Sequence, residues 1–421
     1  MNLLHVVNNM DAKQGGVSQA VRTMIVGLTT KGIHNEVACS DVPDALWNKA
    51  DSFPVHSLGP GLGPWSYSSK LIPWLLDNLR RFDVVILHGL WLYQGYALRK
   101  ALHRLNAMPH DTGSNTSTLP KFFVMPHGML DPYFQRATGR KLKAWRNQLY
   151  WQFIESAVVN QADGLLFTCE TERLLAHEPF APYHPQREVV VGLGVEEPPT
   201  YTTAMRDAFL SQCPELKNRP YLLFLSRIHH KKGVDLLLSA YARMVNCSST
   251  SPLMKLTEND SISEAQAIPA LVIAGPGLET PYGQRMLQIA TELPKHAVLF
   301  PGMLTGNAKW GAFFGCEAFI LPSHQENFGI AVVEALACHK PVLISNQINI
   351  WREIQRMGGG LVEEDTLTGT QRLLERWQAL TKLEKRAIEK HAQQAYHTYF
   401  AVESAAAKMK EALHLIAQQS A

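Results

Sequence analysis

The segment EAFILPSHQENFGIAVVEALACHKPVLIS, residues 317–345, decides the fold because it holds two short apolar runs separated by a helical pattern. AFILP (318–322) and PVLIS (341–345) each predict a buried strand. Between them, apolar residues recur at three- and four-residue spacing from Phe328 onward, which predicts a helix. Buried strands that alternate with helices are typical of a parallel sheet covered on both faces.

The same alternation runs along the rest of the chain in two successive sets. The first set of predicted strands is LLHVV (3–7), EVACS (36–40), VVILH (84–88), FFVMP (122–126), GLLFT (164–168) and VVVGL (189–193). The second set begins with YLLFLS (221–226), ALVIAG (270–275) and AVLFPG (297–302). Two sets predict an α/β protein with two doubly wound, Rossmann-like domains that face each other across a ligand-binding cleft.

The predicted domains comprise residues 1–197 and 198–399, with a hinge near 197–220. The chain is predicted to be mainly helical from about residue 368, and a last helix, about 400–421, is predicted to pack back on the first domain. Two segments rich in Ser, Thr, Asn and Pro, 109–120 and 246–266, show no period and predict surface insertions.

Composition restricts the class of protein. The chain has 421 residues, of which 46% are apolar and 18% charged, and its net charge of +3 gives no support for a nucleic-acid partner. The six cysteines are scattered, so neither a zinc site nor a disulfide framework is predicted and a reducing compartment is favoured. The N terminus lacks the features of a signal peptide, and no run of about 18 apolar residues occurs. We therefore expect a cytoplasmic protein without a membrane span.

Glu326 and Glu334 stand eight positions apart, the first in a strand-to-helix turn and the second in the helix. Eight helical residues span roughly 12 Å and return to nearly the same face, so the two carboxylates could hold the polar ends of one elongated ligand. The alternative is that glutamate near a helix start only complements the helix dipole. From this segment alone the alternative is favoured.

Glycines and cations follow the first strand of each domain. Gly15 and Gly16 lie in a turn before a helix and could approach a phosphate, although a plain turn is equally compatible. In LSRIHHKKG (225–233), Arg227 and Lys232 suit a diphosphate leaving group, and a solvated basic loop is the equal alternative. The solvated interpretation is favoured for His229, His230 and Lys231.

His127 directly follows a predicted strand of the first domain, in VMPHGMLDPYF (124–134). A lone histidine is more often structural than catalytic, but a position at a strand end favours a role in the site. His88 has the same setting and is a second candidate. The chain has no Asp-x-Asp, His-Glu-x-x-His or Gly-x-Ser-x-Gly motif, so neither a bound metal nor a serine hydrolase is predicted.

A stretch rich in basic and aromatic residues, RATGRKLKAWRNQLYWQF (136–153), allows two interpretations. It could rest on an anionic membrane surface or contact an anionic lipid-linked acceptor. It could also be an ordinary surface helix whose aromatic residues pack into the core, and this second interpretation is favoured.

Taken together, these segments resemble glycosyltransferase family 4, whose members have the GT-B fold. The resemblance runs along nearly the whole chain through GGVSQAV, HGMLDPYF, SRIHHKKG, AGPG, FPGML, the deciding segment and GGGLVEED. The pair of glutamates with its Phe-Gly is the most specific of these features. HGMLDP and INIWREI look most like bacterial enzymes that build exopolysaccharides or other envelope glycans.

The resemblance implies a role for each matching residue. Glu326 would contact hydroxyls of the donor sugar and Glu334 the ribose of the nucleotide. Arg227 and Lys232 would neutralise the diphosphate, and His127 would lie near the reacting centre. The other donor-binding residues implied are Gly15, Gly16, Gly275, Leu304, Asn327, Phe328 and Gly329. The family needs no metal and retains the anomeric configuration. Ser226 and Pro276 depart from its usual residues, which leaves the choice of sugar open.

The sequence thus predicts a retaining, metal-independent transferase that moves a hexose, expected to be glucose, from a UDP-sugar to a saccharide or lipid-linked saccharide. We expect it to work in the cytoplasm, with possible peripheral contact with the inner face of the membrane. A GT-B sugar-nucleotide epimerase and a catalytically silent subunit that binds a nucleotide sugar are the alternatives. A nicotinamide-dependent dehydrogenase is disfavoured because G-x-G-x-x-G is absent.

Overall fold

The computed structural model describes residues 1–11, 16–48, 50–108, 119–136, 141–216, 219–250 and 268–418. The chain forms two compact units, Met1–Glu196 with Phe400–Ala421, and Glu197–Tyr399. The division after Glu196 lies one residue before the predicted one. Most of the two predicted insertions, 109–118 and 251–267, and the glycine at position 15 lie outside the described residues.

The first unit is built on a seven-stranded parallel sheet in the order β3-β2-β1-β4-β5-β6-β7. Its strands are β1 (Asn2–Val7), β2 (His34–Cys39), β3 (Val55–Ser57), β4 (Val84–His88), β5 (Lys121–Met125), β6 (Gly164–Phe167) and β7 (Glu188–Val190). Every residue of β4 is buried, as expected for a central strand covered on both faces.

Helices cover both faces of this sheet. They are α1 (Gly16–Thr30), α2 (Leu71–Asn78), α3 (Tyr93–Ala107), α4 (Tyr133–Arg136), α5 (Lys141–Tyr150), α6 (Ser156–Asn160) and α7 (Glu170–Leu175). A π-helical turn, Trp151–Glu155, joins α5 to α6. Successive side chains of a strand point to opposite faces, so Leu3 and Leu4 of β1 belong to two different apolar clusters.

The second unit is built on a six-stranded parallel sheet in the order β10-β9-β8-β11-β12-β13. Its strands are β8 (Tyr221–Leu225), β9 (Ala270–Ala274), β10 (Val298–Gly302), β11 (Ala318–Leu321), β12 (Val342–Ser345) and β13 (Gly360–Glu363). Its helices are α8 (Thr203–Leu210), α9 (Val234–Thr250), α10 (Pro281–Thr291), α11 (Gly306–Gly315), α12 (Ile330–Ala337), α13 (Trp351–Met357), α14 (Leu367–Ala379) and α15 (Lys382–Ala395). The α/β class with two parallel sheets is confirmed.

The last helix, α16 (Val402–Gln418), belongs to the first unit. Its apolar residues Ala406, Met409 and Leu413 pack with Met24 and Leu28 of α1. The two helices approach closely, because a Cβ added at Gly27 of α1 would meet Val402 and Ala406. None of the helices in the described part of the chain combines the length and the apolar character needed to span a membrane.

Two strands were missed, and two predictions about helix boundaries were wrong. The short edge strands β3 and β13 were missed, because neither lies in an apolar run of the length that predicts a buried strand. The helix expected from Phe328 begins at Ile330, because Gly329 has a left-handed backbone with φ of 75°. The segment from 246 to 250, expected to open an insertion, continues α9.

Candidate functional site

In the second unit, the candidate residues follow the carboxyl ends of neighbouring strands. Strands β8 and β11 are neighbours at the centre of the sheet, and the strand order runs outward from them in opposite directions, to β9 and β10 on one side and to β12 and β13 on the other. Ligands of such sheets bind at this point, beyond the carboxyl ends of the strands. Arg227 and Lys232 follow β8, and Glu326 follows β11.

Lys232 and Glu326 form an ion pair at this point of the sheet. Lys232 ends a 3-10 turn, His230–Lys232, and its side chain is only 10% exposed. The turn is closed by Gly233, whose φ is 68° and whose added Cβ would lie 2.0 Å from the Pro322 carbonyl oxygen. Glycine is therefore required here, and it lets the turn after β8 pack against the turn after β11.

The backbone of Glu326 is fixed by two hydrogen bonds. Its N–H donates to the Gln347 carbonyl at 3.0 Å, and its own carbonyl accepts from the Asn349 N–H at 3.0 Å. The Glu326 side chain is 26% exposed, so its carboxylate can contact a ligand while it holds the ammonium of Lys232. An ammonium has three donors, so Lys232 can bind Glu326 and a phosphate oxygen at once.

Arg227 supplies a second positive charge near Lys232. Its side chain is exposed, and no carboxylate among the described residues forms an ion pair with it. A guanidinium without a protein partner can bind a phosphate in bidentate fashion.

The N terminus of α12 adds backbone donors to the same edge. The first N–H groups of a helix lack acceptors within the helix and attract anions. The loop before α12 is well held, because Phe328 is buried and the Asn327 side-chain oxygen accepts from the Asn349 side-chain amide at 3.3 Å. Because the helix begins at Ile330, only part of the path from Glu326 to Glu334 is helical, and the predicted spacing of roughly 12 Å does not apply.

Glu334, in α12, is paired with a residue that the sequence interpretation missed. Its Oε1 accepts from the Lys309 ammonium at 2.6 Å, and that ammonium lies 4.6 Å from the centre of the Trp310 ring. The pair orients the carboxylate predicted to bind a ribose. A single lysine in α11 forms no motif, so nothing in the sequence pointed to it.

Gly275 and Leu304 follow β9 and β10. Gly275 has φ of 144°, and an added Cβ would lie 1.9 Å from the Ser226 carbonyl oxygen. Its N–H donates to the Gly302 carbonyl at 2.7 Å. Leu304 is buried. The packing of the turns explains these two residues, and their predicted contact with a donor remains a prediction.

In the first unit, Gly16 is the exposed first residue of α1, the helix that follows β1. His127 lies after β5 with φ of 52°, in the left-handed region that a side chain disfavours. Gly128 follows with φ of 77°, and its N–H donates to the buried Glu172 carboxylate at 2.5 Å. Glu172 therefore holds this strained turn in place. It was missed because a glutamate early in a helix looks like an ordinary dipole partner.

His127 is the outer member of a chain of three histidines. His88 bridges the other two, with its Nδ1 at 3.0 Å from His127 Nε2 and its Nε2 at 2.9 Å from His5 Nδ1. His5 Nε2 lies 3.1 Å from the side-chain oxygen of Asn35. Neither His5 nor Asn35 was predicted, because they come from β1 and β2 and meet only when the sheet forms.

Asn35 sets the tautomer of all three rings. Its side-chain nitrogen donates to the Ile33 carbonyl at 2.8 Å, so its oxygen must be the atom that faces His5. His5 therefore donates through Nε2 and accepts at Nδ1. In the same way His88 Nε2 donates to His5 Nδ1, and His127 Nε2 donates to His88 Nδ1. The result is that His127 Nδ1 carries a lone pair, which can accept a hydrogen bond from a hydroxyl of a ligand.

The three rings are neutral near pH 7. Burial lowers the pKa of His5 and the pKa of His127 to about 4. Burial, and then repulsion by the two neighbouring rings, lowers the pKa of His88 well below its ordinary value. His127 is thus a hydrogen-bond acceptor rather than a cation at physiological pH.

This chain of histidines predicts acid-labile folding. Below pH 6.5 these histidines are protonated in the unfolded chain but stay neutral in the folded protein. The free energy of unfolding therefore falls as the pH drops from 6.5 toward about 4. His88 alone contributes up to about 1.4 kcal/mol per pH unit. We expect His88→Asn to reduce the pH slope measured by urea unfolding. His103→Asn, at an exposed position of α3, is the control, and an equal pH slope in both variants would contradict a buried, neutral His88.

Residues 141–153 of the basic aromatic stretch lie in α5 and the π-helical turn and have two distinct faces. Asn147, Trp151 and Glu155 are buried, so inward packing is confirmed for Trp151. The prediction of inward packing is wrong for Trp145, whose side chain is exposed. The exposed stripe, as we call the other face, carries Leu142, Trp145, Leu149 and Phe153, which are 86%, 67%, 39% and 79% exposed.

Comparison with known proteins gives two family matches and several similar structures. Residues 206–394 match a family described as Glycosyl transferases group 1, and residues 15–194 match one described as Glycosyl transferase 4-like domain. A D-inositol 3-phosphate glycosyltransferase of Gordonia bronchialis is 29% identical over 198 residues, 46% of this chain. The chain spans only 39% of the length of that relative.

Two solved structures share the fold over nearly their whole length. Sucrose-phosphate synthase (tll1590) from Thermosynechococcus elongatus has a TM-score of 0.64 at 15% identity, over 100% of both chains. Anabaena Alr3699/HepE, solved in complex with UDP-glucose, has a TM-score of 0.65 at 15% identity, over 99% of this chain and 100% of its own.

Proposed function

Since this chain belongs to the glycosyltransferases of the GT-B fold, we propose that it moves a hexose from a UDP-sugar to a saccharide or lipid-linked saccharide acceptor with retention of configuration. The observation that carries the proposal is the Lys232–Glu326 ion pair between the carboxyl ends of β8 and β11. A nucleotide sugar has a diphosphate beside a hexose, and the pair offers a cation for the first and an acceptor for the second.

In the proposed reaction the acceptor oxygen bonds to the anomeric carbon as the bond from that carbon to the diphosphate breaks. The acceptor proton passes to the leaving diphosphate. Lys232, Arg227 and the N terminus of α12 stabilise the negative charge that develops there, so the proposed chemistry requires no metal ion. Glu326 holds the sugar hydroxyls and Glu334 holds the ribose.

UDP-glucose is the donor that we propose first. Anabaena Alr3699/HepE, which has the same fold, was solved with UDP and with UDP-glucose. UDP is therefore the first nucleotide to be tested.

Calorimetric titration with UDP, GDP, ADP and NAD, in the presence of a chelator, tests this proposal. We expect one nucleoside diphosphate, UDP, to bind and NAD to leave the protein unchanged. UDP release from UDP-glucose, in the presence of acceptors, then tests transfer. Conversion of the UDP-sugar itself without an acceptor would instead indicate an epimerase, and binding without turnover a silent subunit. Binding of NAD alone would overturn the proposal.

The acceptor side of the proposal uses the exposed stripe. Four apolar side chains at spacings of three and four residues form one face, with Lys143 and Arg146 exposed beside them. Apolar residues flanked by cations suit the surface of an anionic bilayer, where a lipid-linked acceptor would be found. We therefore place the enzyme at the inner face of the membrane, in the synthesis of an exopolysaccharide or another envelope glycan.

We expect the chain to float with vesicles that contain anionic lipid at low salt, and to be released as salt screens the attraction. Trp145→Ser with Phe153→Ser should lower the partition coefficient by at least about tenfold, because two large apolar groups no longer enter the lipid. Trp47→Ser, at another exposed tryptophan of the same unit, is the control. Flotation that is absent at low salt, or equal in the stripe variant, would refute this part of the proposal.

A further inference from the structure

Three side chains beside the Lys232 turn form a cluster that the proposed transfer does not use. They are His230, Asp235 and His324, and one potential ligand atom from each lies within 4.8 Å of the others. His230 begins the 3-10 turn after β8, Asp235 is in the first turn of α9, and His324 follows β11. The cluster therefore joins three separate segments of the second unit.

Hydrogen bonds from neighbouring residues leave one nitrogen of His324 and one carboxylate oxygen of Asp235 available to bind a ligand. Asp365 Oδ2 accepts from His324 Nδ1 at 3.0 Å, so Nε2 of that ring keeps its lone pair. The Tyr282 hydroxyl donates to Asp235 Oδ1 at 2.6 Å and leaves the second carboxylate oxygen. A carboxylate that holds the far nitrogen of a histidine, as Asp365 does, is the usual support of a metal-binding imidazole.

We infer that His230, Asp235 and His324 bind one divalent transition cation of the zinc type. Two imidazole nitrogens and one carboxylate oxygen suit zinc, whereas magnesium and calcium prefer oxygen ligands alone. Tetrahedral bonds of roughly 2.0–2.2 Å place ligand atoms roughly 3.4 Å apart, so the three atoms, now within 4.8 Å of one another, must move closer together. The His230 ring can make this movement because it is exposed.

The cation acts by holding segments together rather than by entering the transfer. His230 is two residues from Lys232, and His324 is two residues from Glu326. These segments are already joined, since the His324 N–H donates to the Lys231 carbonyl at 2.8 Å and the Lys231 ammonium to the Gln325 side-chain oxygen at 2.7 Å. A bound cation would add α9 to this contact and stabilise the second unit.

The test is titration of the chelator-treated full chain with Zn²⁺ by calorimetry and with Co²⁺ by visible absorption. We expect one site that saturates and raises the thermal midpoint. His230→Ala and His324→Ala should each weaken binding at that site at least 100-fold. Asp365→Asn should weaken it about 10- to 100-fold, because it removes only the support of His324. No sugar nucleotide is present, so the outcome is independent of the proposed transfer.

Two comparisons keep the outcome specific. His296→Asn replaces an exposed histidine of the same unit outside the cluster and should leave the affinity unchanged. Asp235→Asn keeps the size of the side chain and the contact with Tyr282, so weaker binding in a variant with a normal thermal midpoint supports the assignment. No saturable binding, or equal affinity in wild type and the His230→Ala/His324→Ala double variant, would overturn it.

Discussion

Lys232→Ala is expected to lower turnover about 100-fold or more. The ammonium lies at the carboxyl end of β8, and it is mostly buried against the Glu326 carboxylate. In such a site a fixed charge that faces the leaving group contributes about 2.7–4 kcal/mol to the transition state. The variant should also bind UDP more weakly, because the diphosphate is present in UDP itself. UDP release from the donor and calorimetry of UDP measure the two effects.

The adjacent lysine provides the matched control. Lys231 is in the same 3-10 turn, but its ammonium contacts the Gln325 side chain. Lys231→Ala should therefore change turnover only a few-fold. Equal losses in the two variants would assign the effect to the turn as a whole, and near-normal turnover in Lys232→Ala would remove Lys232 from its assigned role.

Glu326→Gln should reduce turnover by a similar factor through a different step. The glutamine keeps the size of the side chain but cannot hold sugar hydroxyls and the Lys232 ammonium as a carboxylate does. UDP has no hexose, so its affinity should change only a few-fold. Loss of turnover with retained UDP binding is the signature that separates this residue from Lys232.

A second ion pair of the same unit tests whether the loss of any glutamate charge is enough to lower turnover as Glu326→Gln is expected to do. Glu317 precedes β11, at the opposite edge of the sheet, and lies 3.5 Å from Lys385. The Glu317 side chain is 32% exposed, close to the 26% of the Glu326 side chain. Glu317→Gln should leave turnover unchanged. Full activity in Glu326→Gln, with UDP-glucose as donor, would contradict the assignment of the sugar site.

The sequence by itself determined the class of fold and the central strands. Strands such as β4 and β8 are buried on both faces, so nearly all of their residues are apolar and they form continuous apolar runs in the sequence. The edge strands β3 and β13 contain no such run, and hydrogen bonds to a neighbouring strand define them instead. The helix start at Ile330 was misplaced because it depends on the backbone angle of Gly329.

Candidate site residues could also be predicted where a charged residue suited to the ligand follows a predicted strand. Lys232 and Glu326 met both conditions, because the ends of parallel strands lie at one edge of a sheet. The tertiary structure decided which lysine pairs with which glutamate. The Lys309–Glu334 pair and the chain from Asn35 through three histidines join residues that are 25 to 83 positions apart. Only the order of the strands brings such residues into contact, and no local pattern encodes that order.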